Sequence, residues 1–151
     1  QSLSEGFNAR YLNLPALADT IHKGTFPNVT YSEIATLSAE TAASRSTQHP
    51  DYARLAARIV IDQNHKATPP TFSGAIDILY SNGNGFIHAD IADIVRRRRS
   101  EIDGKIVSER DVQLMTYFGF KTLERSYLLK TDDGEIIERP QYLLMLSLIH
   151  I

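Results

Sequence analysis

Apolar residues recur at three- and four-residue spacing through most of this chain, broken by Pro, Gly and short polar clusters, which predicts a mainly α fold. A first short helix is expected over Leu14 to Lys23, with Pro15 tolerated in its first turn and Gly24 closing it. Thr30 followed by Glu33 reads as a capping box: the Thr hydroxyl takes a free backbone N–H, and the Glu carboxylate returns to the N–H of the cap. The helix it starts runs to about Arg45, with Ile34, Leu37 and Thr41 on one face. Pro50 opens a third helix on which Tyr52, Leu55, Ala56, Ile59, Val60 and Gln63 fall at helical spacing, and Pro69-Pro70 stops it. Thr71 to Tyr80 forms a fourth, shorter helix that ends at a loop, Ser81-Asn82-Gly83-Asn84-Gly85. Two more helices are expected over His88 to about Arg99 and Tyr117 to Leu129, joined by the polar segment Ser100 to Arg110. The turn Asp132-Asp133-Gly134 between two apolar runs predicts a small β-hairpin, after which Pro140 starts a last helix. The chain thus divides into a helical module over 1–82 and a second helical segment with a hairpin over 83–151.

Composition narrows the functional classes. With 151 residues, 42% of them hydrophobic, the chain can bury one good core, or a small module and the start of another. A formal net charge of -2 gives no global attraction to nucleic acid or to an anionic membrane. The absence of Cys removes disulfide frameworks, zinc knuckles and thiol chemistry. The start, Gln1 to Gly6, has no charged leader followed by an apolar run and does not read as a signal peptide. The longest apolar run, Tyr142 to Ile151, is about half of what a membrane-spanning helix needs. These features agree with a piece of a soluble intracellular protein; a cytoplasmic location is expected, with neither membrane nor nucleic acid as a partner.

Individual motifs add little chemistry. His22, His49, His88 and His150 have no metal-ligand spacing, so no metal site is expected. Arg96 to Arg99 read as a solvated helix end surrounded by Asp90, Asp93, Glu101 and Asp103, because the stacking aromatics of a nucleic-acid surface are missing. Lys121, Glu124 and Arg125 are spaced for ion pairs along one helix. Asn28-Val29-Thr30 fits a glycosylation sequon, but the capping role accounts for Thr30. His65-Lys66, at the end of the third helix, reads as a solvated His and a Lys favoured by the helix dipole.

Three stretches say more together than any motif alone: YFGFKTLERSYLLK at Tyr117 to Lys130 with Glu138-Arg139-Pro140-Gln141 soon after, HPDYARLAARIVIDQNHK at His49 to Lys66, and EIATLSAETAA at Glu33 to Ala43. In this order and spacing they resemble the N-terminal region of the large, catalytic subunit of class I ribonucleotide reductase, over roughly residues 29 to 145. The resemblance implies that 1–82 is an ATP-cone-like regulatory module and that 83–151 begins the helical domain bracing a catalytic barrel. It implies a parent enzyme that reduces ribonucleoside diphosphates to deoxyribonucleotides with barrel cysteines, a radical-generating small subunit and a second large subunit as partners, and ATP and dATP as allosteric effectors. No catalytic residue and no cofactor is assigned within this chain.

By the same resemblance, Lys66 takes the position of a lysine that contacts nucleotide phosphates, and Tyr31 lines the same pocket. Ala35 stands where an acidic residue commonly helps to distinguish ATP from dATP, and offers neither charge nor hydrogen bond. Pro69 replaces a frequent second Lys, and nothing in Gln1 to Tyr11 matches the family's basic strand that closes over the nucleotide. Either that strand is absent or the cone is degenerate, and Ala35 and Pro69 favour degeneracy. Leu146 to Ile151 depart from the family's continuation. The alternative is a stand-alone nucleotide-sensing or interaction module without catalysis. Exposed apolar faces are expected at Phe118, Phe120, Leu123, Tyr127 and the helix from Tyr142, with self-association as their consequence.

Overall fold

The computed structural model describes residues 3–8, 10–82 and 85–149. Gly83 and Asn84 of the expected loop, and His150 and Ile151, lie outside the described residues. Among the described residues the fold is mainly α, with nine helices and no strand. The expected hairpin is reduced to one antiparallel bridge, Lys130 to Ile136. Thr131 N–H donates to Glu135 O across the turn and Ile137 N–H to Leu129 O beside the bridge, but the pairing extends no further as a ladder.

Packing groups the chain into two units, Gln1–Gln63 with Met115–Phe120 and Asn64–Leu114 with Lys121–Ile151. In the first unit, α1 (Leu14–Lys23) packs on α2 (Tyr31–Ser44). Asn13 caps α1 by accepting from Ala16 N–H at 3.0 Å, and Gly24 ends it with a right-handed φ of -88°, so its left-handed freedom is not used. At the start of α2, Thr30 N–H donates to Glu33 Oε2 at 2.8 Å and Glu33 N–H donates to Thr30 Oγ1 at 3.2 Å, closing the expected capping box. The buried face of α2 is Ala35, Ala39, Ala42 and Ala43. The Ile34, Leu37, Thr41 face expected from spacing is instead partly exposed, because this helix buries its row of small side chains. Helix α3 (Pro50–Ala67) buries Tyr52, Leu55, Ala56, Ile59 and Val60 as its period predicts, whereas Gln63 of the same expected face is half-buried and donates to Ser32 O at 3.0 Å; Ile61, outside that face, is buried too, and the last turn belongs to the second unit.

In the second unit, α4 (Phe72–Ser81) packs on α5 (Ala89–Arg97) and α6 (Arg99–Asp103), and α7 (Glu109–Leu114) packs on α9 (Pro140–Ile149). The polar segment Ser100 to Arg110 reads as a linker, yet all but the first residue of α6 and the start of α7 fall within it. Asp103 explains part of this, since its carboxylate accepts from Ser73 N–H at 2.9 Å and Ser73 Oγ–H at 2.6 Å, supplying an acceptor to the first turn of α4. The core of the unit gathers Phe72, Ile76, Leu79, Val95, Tyr142 and Leu146. Helix α8 (Tyr117–Ser126) starts in the first unit and ends in the second. No helix of the described residues is long and apolar enough to cross a membrane.

Candidate functional site

A groove of about 340 Å³ opens in the first unit. Its α2 wall is Tyr31, Ile34, Ala35 and Ser38, its α3 wall is Leu55, Ile59 and Asp62, and Leu3 and Ser4 complete it. Tyr31 and Ala35 both line it, one turn apart on α2, with Tyr31 exposed and Ala35 7% exposed. Lys66 is an exposed residue of the last turn of α3, belongs to the second unit, and is not among the lining residues. Pro69 also lies in the second unit, where its carbonyl accepts from Tyr142 Oη–H at 2.9 Å.

The chemistry of the groove is mostly apolar, with hydroxyls from Ser4, Tyr31 and Ser38 and the carboxylate of Asp62. No Lys, Arg or His is among its described lining residues. Nor is the N-terminus of α2 open to an anion. The capping box engages Glu33 N–H and Thr30 N–H, and the Glu33 carboxylate, held below its usual range by the Thr30 backbone and side-chain hydrogen bonds, puts a negative charge there. An anion in this groove would meet no cation among the described lining residues and would face the carboxylate of Asp62.

The second unit contains a buried polar network that the motif reading did not anticipate. His65 is not the solvated side chain its position suggests: its Nε2 lies 2.8 Å from Oδ2 of Asp111, which is only 1% exposed. Arg139 Nε–H donates to Thr68 Oγ1 at 2.8 Å, and its second terminal nitrogen donates to His65 O at 2.9 Å and Thr68 O at 3.3 Å. These are carbonyls at and just after the C-terminal end of α3, where helix geometry leaves acceptors unmet. Asn64 Nδ2–H donates to Glu138 O at 3.1 Å, Glu138 Oε2 accepts from Leu129 N–H at 2.8 Å, and Gln141 clasps Val107 through both its N–H and its C=O. Glu138-Arg139-Pro140-Gln141 thus acts as a knot: two side chains reach distant backbone, Pro140 starts α9, and Glu138 pins the bridge segment. Asn64 Oδ1, Asp111 Oδ1 and Glu138 Oε1 are buried without a hydrogen-bond partner among the described residues. Burial pushes the Glu138 carboxyl up to about 6, against the lowering effect of the Leu129 N–H. No group of three or more His, Cys, Asp or Glu among the described residues is placed to hold a metal ion.

Three arginines of the run pair with carboxylates, and Arg97 Nε–H donates to the backbone oxygen of Asp93 at 3.2 Å. Arg96 Nε–H donates to Asp77 Oδ1 at 2.9 Å and Arg99 to Asp77 Oδ2 at 2.5 Å, and Arg98 makes a two-pronged pair with Glu101. The Arg96 hydrogen bond, joined by Arg99, holds Asp77 below its usual carboxylate range.

No protein-family model matches the chain. It is 40% identical to the ribonucleoside-diphosphate reductase large subunit of Danio rerio over 96% of its own length, and 44% identical to that of Caenorhabditis elegans over the same share. The chain is homologous to ribonucleoside-diphosphate reductase large subunits. The large chain 2 of Saccharomyces cerevisiae is 43% identical over 95% of it. The chain spans about a fifth of the length of the curated relatives it matches, 19% of the Danio rerio protein. The reductase-like stretches quoted from the sequence fold into the capping box and Ala face of α2, the apolar face of α3, and α8 with the knot after it.

Proposed function

We propose that this chain is a regulatory and structural part of a ribonucleoside-diphosphate reductase large subunit, with 1–82 as a cone-like module and 83–151 as the start of a bracing helical domain. The observation that carries this reading is identity of about 40% across 96% of the chain to proteins of that name. The parent enzyme reduces ribonucleoside diphosphates to deoxyribonucleotides in the cytoplasm, with a small radical-generating subunit and a second large subunit as partners. Catalysis resides in cysteines outside this chain, which has none. A thiyl radical needs a sulfur that no side chain here can supply in thiol form, so the chain alone does not turn over substrate. Sequencing the parent gene past the codon for Ile151 tests the assignment. An open frame into a Cys-bearing continuation is the expected result, and an immediate stop codon would favour a stand-alone sensing module.

The cone-like module has lost much of its nucleotide chemistry, as Ala35, Pro69 and the lack of a cation among the described lining residues of the groove indicate. The chain is therefore expected to bind ATP or dATP weakly or not at all. Titration calorimetry with each nucleotide is the check, and tight binding that distinguishes the two would overturn this reading. Should weak binding appear, Lys66→Ala should remove most of it, since Lys66 would supply the phosphate contact.

A further inference from the structure

We propose that Arg58 is a positioning residue that holds segment 3–7 in place as one wall of the groove, so that releasing its guanidinium opens the groove. The Arg58 side chain meets this short segment three times. One terminal nitrogen donates to Leu3 O at 3.0 Å and to Glu5 O at 2.6 Å, and the guanidinium carbon lies 4.2 Å from the centroid of the Phe7 ring. Leu3 and Ser4, at the near end of the same segment, line the groove whose other walls are α2 and α3. The segment has little regular structure of its own. It is a turn with Phe7 N–H donating to Ser4 O at 3.3 Å, and Gly6 takes a left-handed φ of +82° with nothing within 4 Å of where a Cβ would stand.

A guanidinium suits this task because it is planar, always charged, and donates in several directions while its face stacks on a ring. Two of its three contacts are to main-chain oxygens, so they do not depend on which side chains stand at Leu3 and Glu5. A segment with no basic strand can be held against α3 in this way. The device is independent of what the groove binds, and it stands whether or not the chain takes a nucleotide.

The test uses the full chain and the fact that it contains no Cys. A thiol introduced by Ser38→Cys, on the α2 wall, reports groove access through its rate of reaction with a dithiobis-nitrobenzoate reagent. Amide hydrogen exchange of the N-terminal peptide reports the hold on segment 3–7. With Arg58→Gln, both rates should rise about tenfold, the change expected on losing a charge-assisted hydrogen bond. Arg58→Lys should fall between. Phe7→Leu, which leaves the backbone contacts in place, should raise both rates by about two- to fivefold. Unchanged rates in Arg58→Gln would overturn the proposal, and faster exchange without faster labelling would overturn the assignment of the segment as a groove wall. If circular dichroism shows that Arg58→Gln is unfolded, Phe7→Leu decides: a few-fold rise in both rates supports the proposal and no rise sinks it.

Discussion

Glu138 is the residue whose environment departs furthest from its sequence appearance. A glutamate in a polar tetrapeptide reads as exposed, but here it is 1% exposed, one oxygen accepts from Leu129 N–H, and the other has no partner. Its carboxyl is raised from 4.5 to about 6 by burial, so the folded chain holds the proton more tightly than the unfolded one. Below the unfolded value both states are protonated and there is no difference. As pH rises from 4.5 to 6 the unfolded chain ionises first, and stability should fall through that window by about 2 kcal/mol before levelling off. Glu138→Gln should flatten this part of the profile, as measured by urea unfolding at several pH values. An unaltered slope would mean that another group carries it. Arg139 and Asp111 were equally invisible as core residues, because a charged side chain is placed inside only by partners far away in sequence.

Helix ends were the most legible part of the chain. Thr30 with Glu33, Pro50, the Pro69-Pro70 stop, and Pro140 all act within one turn, so the residues that define the boundary are also the ones that stabilise it. Thr30→Ala should therefore cost about 1 kcal/mol of stability, and it should also raise amide exchange at the first turn of α2. Equal stability of the variant and the parent in denaturant would show that tertiary contacts, and not the cap, hold this helix. The short helices α6 and α7 are not legible in the sequence because five or six residues carry too little periodicity, and their stability comes from packing. Asp103 and Asp111 are the residues that tie them to α4 and to the end of α3.

For the molecule as a whole, the expected apolar surface is present but differently composed. Phe120, Tyr142 and Leu146 are buried, so α8 and α9 contribute to the cores more than expected, whereas Phe118 is 71% exposed and Tyr127 is also exposed. On α9, Leu144 and Leu148 lie one turn apart at 48% and 67% exposure. An apolar stripe of this kind is expected to favour self-association. Sedimentation should show the mean mass of the chain rising with concentration, and Leu144→Lys with Leu148→Lys should return it to monomer. A parent chain that stays monomeric throughout would show that the stripe is too small to associate.

The order of the helices, most of their ends, the absence of cysteine chemistry and the likeness to reductase large subunits were all readable from residue to residue, because each rests on identities or on interactions within a few positions. Which face of α2 turns inward was not, and neither was the pairing of Asn64, His65 and Thr68 with Asp111, Glu138 and Arg139, which joins positions 46 to 74 residues apart. Periodicity states that a helix has an apolar side; it does not state what that side will meet. Burial of a charge or a small side chain depends on the shape and hydrogen-bonding of a distant partner, and only folding brings the two together.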